Sequence, residues 1–122
     1  MADPIEVVKA ILAAAAPVTT LVSDRISPRP LAQGDPLPAV VVRVVSTVPN
    51  WHLRGDSNLD QVRVQVDSMA VNSTAAAALA DAVRAALGAA DRVLSSELED
   101  YDPVTGANVV SQDYLLWVHP TA

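Results

Sequence analysis

Apolar and polar residues alternate most cleanly between Leu59 and Ser68: Val62, Val64 and Val66 fall on one side, Gln61, Arg63, Gln65 and Asp67 on the other. Period-2 spacing of this kind marks a strand with one buried and one wet face. Upstream, Ile5, Val8, Ile11 and Leu12 recur at helical spacing. Asp3 suits the N-cap of that helix and Pro4 its first turn, where a missing N–H leaves no bond unmade. Ala13 to Ala16 prolong the pattern until Pro17, expected to stop it, with Val18 to Val22 as one more short turn before Ser23-Asp24. Residues 27 to 38 hold Pro28, Pro30, Pro36 and Pro38 with Gly34 and Asp35, which predicts an ordered, extended surface segment.

Ala39 to Ser46 is dense in valine, which predicts a strand buried on both faces except near Arg43. Thr47 to Asn58 is rich in turn formers and reads as a long loop or a hairpin tip. The strongest helix follows, capped by Asn72 or Ser73, with Val71 as the outer half of a hydrophobic staple. Its stripe is Ala76, Leu79, Ala80, Val83, Ala86 and Leu87, with Asp81 and Arg84 off it and Gly88 as its end. Alanine on that face lets the helix lie close on a sheet. Arg92 to Glu97 is a weaker strand, Asp102 to Gly106 a tight turn, and Asn108 to Val118 a last strand, apolar towards its end. The order α-β-β-α-β-β predicts an α+β fold. Two helices pack on one face of a mainly antiparallel four-stranded sheet, and residues 1–122 form a single domain.

Composition narrows the function classes. The 122 residues are 51% hydrophobic and 18% charged, which excludes an intrinsically disordered chain. There is no Phe, so Val, Leu, Ile and Ala must build the core, with Trp51, Tyr101, Tyr114 and Trp117 as the aromatics. No apolar run approaches the roughly 20 residues of a membrane span, and Asp3 near the start is unlike the basic head of a signal peptide. Zero Cys removes disulfides and thiolate metal sites and points to an intracellular assembly compartment. The net charge of −6, with Lys9 and seven arginines scattered singly, argues against a surface that grips nucleic acid.

No catalytic constellation emerges. His52 and His119 lack partners at ligand spacing, and solvated positions suit both. No G-x-S-x-G elbow accompanies the serines. Glu97, Glu99, Asp100 and Asp102 lack the spacing of a calcium loop and read as a solvated charge run. Arg54-Gly55-Asp56 reads as a turn, and the four glycines are isolated, so no phosphate loop exists. Trp51 and Leu53 are the unusual pair: large apolar side chains in a polar loop either fold back on their own core or meet a partner surface. Trp51, Leu53, Arg54 and Asp56 are therefore the candidate protein-interface residues.

Five blocks carry a resemblance. Leu21-Val-Ser-Asp-Arg-Ile26, Leu37-Pro-Ala-Val-Val41, Val62-Arg-Val-Gln-Val-Asp67, Ala78-Leu-Ala-Asp-Ala-Val-Arg-Ala-Ala-Leu87 and Tyr101-Asp-Pro-Val-Thr-Gly106 occur in order over nearly the whole chain. Together they resemble the tail completion, or tail terminator, proteins of long-tailed bacteriophages and related gene transfer particles. The resemblance implies an α+β subunit of the virion, assembled in the host cytoplasm as a hexameric ring on the finished tail tube. Such a ring stops tube polymerisation and offers the surface on which the filled head docks. Its partners would be its own copies, the tail tube protein and a head-completion or connector protein, with DNA only in transit and no membrane. It implies neither enzymatic activity nor a cofactor. Family members often carry aromatics after the Val-Gln-Val-Asp strand, whereas Ser68-Met69-Ala70 stand here, so contacts made by such aromatics do not carry over. A ring subunit needs two unlike, complementary edges, which exposed strands and a proline-rich segment can supply. The competing readings are a head–tail adaptor or minor tail protein, told apart by its partner, and a small α+β hydrolase or ligand-binding domain, which needs a buried polar cluster in a pocket.

Overall fold

Asp3 opens the first helix: its carboxylate accepts from the Ile5 N–H at 2.9 Å, and α1 runs Pro4–Ala13 with Pro4 in its first turn. A computed structural model describes residues 3–28, 34–49, 60–90, 92–103 and 105–118. Pro17 does not end helical structure. It sits in the first turn of α2, Ala16–Val22, where its fixed φ helps to start a helix, and the two helices meet at 91°. Val8 and Leu12 of α1 and Val18 and Val22 of α2 are fully buried. No single helix among the described residues is long and apolar enough to cross a membrane.

Five strands follow in the chain around a third helix: β1 Ile26–Ser27, β2 Ala39–Pro49, β3 Asp60–Ala70, α3 Ser73–Ala89, β4 Val93–Asp102 and β5 Ala107–Val118. They form one sheet in the order β1-β2-β3-β5-β4. All neighbours are antiparallel except β1, which lies parallel to β2 through Ile26–Val40 and Ser27–Val41 only. The α+β class and the four long antiparallel strands are as the sequence predicts. Two parts of that expectation are corrected: among the described residues the sheet is mixed and five-stranded, and the helices number three. A two-residue strand has no periodicity to read, and the Pro17 helix was expected only as a turn.

The central strands do what their alternation requires. Val62, Val64 and Val66 point at the helices and are buried, with Tyr114 and Leu116 beside them on β5. Asn72 caps α3, accepting from the Ala75 N–H at 2.8 Å, and Leu79, Val83 and Leu87 complete the main core. Ala76 and Ala80 of α3 meet Ala70 and Val110, the close contact that an alanine face permits. The staple does not form: Val71 is 70% exposed, because its partner position in the next turn holds Ala76, too short to reach out to it. Gly88 is not the helix end either. It stays within α3, and Ala90 is the C-cap.

β2 is buried on both faces only from Ala39 to Val42; Val44 and Val45 are exposed. The strand also runs on to Pro49, beyond the expected end at Ser46. A bulge at Val45 explains why its pattern misleads: Val44 pairs with Val64 and Ser46 with Arg63, leaving Val45 as the extra residue. β4 carries a matching bulge between Leu94, opposite Tyr114, and Ser96, opposite Asp113. It extends five residues past the expected end, its outer half too polar to read as a strand from sequence. The β4–β5 turn is closed by Gly106, whose N–H donates to the Asp102 carbonyl at 2.8 Å and whose φ of 72° suits glycine.

Candidate functional site

The three described helices lie on one face, and among the described residues the other face of the sheet is covered only at one end. There Leu37 packs with Val109 against buried Val41, Met69 and Ala107. The Arg25 guanidinium holds the approach to this end by donating to the Pro38 carbonyl at 2.8 Å. Beyond that cover, polar side chains from four strands line up: Arg43, Gln65, Asp113 and Ser96 are successive cross-strand partners. Gln65 donates to Asp67 at 2.8 Å, and Arg43 lies 3.9 Å from the same carboxylate. Arg63 reaches Asp113 at 3.5 Å and donates to Ser95 at 3.0 Å, while Ser96 donates to Asp113 at 3.3 Å. These partly exposed pairs hold side chains in place more than they stabilise the fold, each being worth about 0–1 kcal/mol.

The row walls a shallow cleft of about 500 Å³, with Met69 and Val109 in its lining and Leu98 and Tyr101 at its β4 side. Ser96 and Ser111 are the serines that line it. No cluster of three or more His, Asp or Glu able to hold a metal occurs among the described residues.

Two buried polar side chains, Ser68 and Gln112, were not foreseen from the sequence. Gln112 is fully buried beneath α3; it donates to the Ala80 carbonyl at 3.2 Å and to Glu97 at 2.8 Å, and it accepts from the Tyr114 hydroxyl at 3.0 Å. Glu97 is exposed, as a solvated charge run predicts, and also accepts this bond from Gln112. Desolvation first, and the Glu97 charge after it, push the Tyr114 hydroxyl well above its usual range, while Arg84 pulls it part of the way back. The period-2 register of Val110, Gln112, Tyr114 and Leu116 is the signal that places Gln112 inside. Of the three side chains Gln112 and Tyr114 are buried and Glu97 is exposed, and none of them lines the cleft. The two bonds donated by Gln112 tie α3 and β4 to β5.

Trp51, Leu53, Arg54 and Asp56, the residues singled out for an interface, lie outside the described residues, as do His52 and His119. The strands that lead to the first four end together, Pro49 opposite Asp60. Exposed apolar side chains that the sequence did not single out are Val45 on β2, Leu98 and Tyr101 on β4, and Trp117 on β5. Of the polar run on β4, Glu99 and Asp100 are exposed as expected.

The fold is that of an α+β sheet protein with its described helices on one face and a row of polar side chains on the other. The model of one family, tail completion protein gp17, matches residues 6–119, and the chain belongs to that family. It is thus a structural component of a bacteriophage tail, and its partners are other components of the tail and virion. No curated protein matches the chain.

Proposed function

We propose that copies of this chain close into a ring, as a hexamer, on the end of the tail tube, where they end tube polymerisation and present the surface to which the filled head docks. The observation that carries the reading is the family match over residues 6–119. The partners are then the tail tube protein below and a head-completion or connector protein above, with DNA passing in transit. Eight basic against fourteen acidic residues suit passage without retention, because tight phosphate binding needs clustered cations. In this reading the protein has no catalytic activity and no cofactor, and it assembles in the host cytoplasm. The segment carrying Trp51, Leu53, Arg54 and Asp56 is the docking element, with the two apolar residues as anchors and the two charges setting orientation.

Purified protein mixed with tail tube protein, followed by native mass spectrometry and electron microscopy, tests this directly. A closed ring seated on tube ends, with tubes that no longer lengthen, is the expected result. A protein that stays monomeric and ignores tube ends would overturn the reading, and binding to the head connector alone would make it a head–tail adaptor.

A further inference from the structure

We infer that neighbouring copies join edge to edge through their sheets: the outer edge of β4 in one copy pairs antiparallel with the outer edge of β2, beyond Val41, in the next. The inference rests on the ring reading and adds the interface to it. Among the described residues, no strand pairs with the outer side of β4, and β1 covers β2 only at Val40 and Val41. That leaves a ten-residue strand on one side of the sheet and most of an eleven-residue strand on the other. Long uncovered edges are sticky, because their N–H and C=O groups seek partners.

Strand direction selects the mode of joining. β2, β3, β5 and β4 alternate in direction across the sheet, so the two free edges run opposite ways. A rotation about an axis along the strands leaves directions unchanged. It therefore brings β4 of one copy antiparallel to β2 of the next, the relation found throughout the sheet. The two surfaces differ, so the contact is heterologous and closes into a ring when the rotation allows.

Side chains favour the same pairing. β2 presents Val44 and Val45, 38% and 50% exposed, and β4 presents Leu98, 65% exposed. Glu99 and Asp100 stand exposed on β4, while Arg43 is exposed on β2. Two β4 edges meeting would set carboxylates against carboxylates, which disfavours a symmetric dimer. β4 against β2 sets apolar against apolar and carboxylate beside guanidinium.

The test uses two variants, each spoiling one edge: Val45→Asp on β2 and Leu98→Asp on β4. Both positions are exposed, so circular dichroism and melting should match the wild type. If Val45→Asp alone alters the fold, Arg43→Glu replaces it. Each variant alone should lose ring assembly by roughly tenfold or more, the scale of a like charge placed in an interface. Mixed, the two should form a heterodimer and stop there, because one sound β2 edge meets one sound β4 edge and every remaining edge is spoiled. Rings formed by both single variants as readily as by the wild type would overturn the edge pairing and leave the ring reading standing. A wild type that forms no ring, even with tube protein, would overturn both.

Discussion

Tyr114→Ala is expected to remove roughly 3–5 kcal/mol of folding free energy, the scale for deleting a large buried aromatic. Tyr114 is the largest fully buried side chain among the described residues and stands opposite Val64 on one side and Leu94 on the other. Its loss would open a cavity at the centre of the sheet and strand the Gln112 carbonyl, which accepts from its hydroxyl at 3.0 Å. Domains of this size hold only about 5–15 kcal/mol in total, so denaturant midpoints should fall steeply. Tyr114→Phe keeps the packing and removes only the donor, and should cost about 1–3 kcal/mol, the penalty of an unsatisfied buried acceptor. The pH arm has a definite sign. Burial raises the hydroxyl's folded pKa, so above the ordinary tyrosine value of ~10 the unfolded chain holds fewer protons than the folded one. Tyr114's contribution is therefore complete below that value and is lost as pH climbs from it towards the higher folded value. The Phe variant should lose stability less steeply over that alkaline range. A Tyr114→Ala protein melting with the wild type would show that the core does not depend on this ring.

Trp51→Ala is expected to weaken binding to tube ends by roughly 2 kcal/mol or more, about thirtyfold, with little change in melting. Trp51 and Leu53 stand in the segment from Pro49 to Asn58, whose other residues are polar or turn-forming. Apolar anchors among polar neighbours are the composition of a binding hot spot, and tryptophan is the residue most enriched there. The contrary case is equally definite. A Trp51 folded onto its own core would make the same variant lose roughly 3–5 kcal/mol of stability. Thermal unfolding and tube binding, measured on the one variant, separate the two. Collapsed melting with normal binding of the surviving folded protein would remove Trp51 from the interface.

What could be read from the sequence follows from how regular each element is. β3 alternates from Gln61 to Ser68 and was legible there, although it runs on to Ala70 with Met69 and Ala70 both buried; the stripe of α3 from Ala76 to Leu87 was legible too. Asp3, Pro4 and Asn72 declared their helix starts, since capping chemistry is local. β1 was illegible because its two residues are held by Val40 and Val41, each fourteen positions further along the chain. The outer half of β4 was illegible because an edge strand with both sides wet has no apolar period. Gln112 reads as a surface residue until its register beside Tyr114 is known. The open-face row from Arg43 to Ser96 could not be seen at all, since its four members come from four strands and meet only through pairing.

The two bulges decide where chain length can vary. In a paired strand, losing one residue shifts everything beyond it to the opposite face. A single deletion within β3 would thus turn Val62 or Val66 outward and Gln61 or Asp67 into the helices. Val45 and Ser95 are different, because neither has a partner opposite it. Removing either closes the bulge and leaves Ser46 facing Arg63, or Ser96 facing Asp113, as before. Insertions and deletions can accumulate at these two sites without disturbing the inside-outside order of the sheet, and the curl of each edge, with the fit between neighbours in a ring, would change with them.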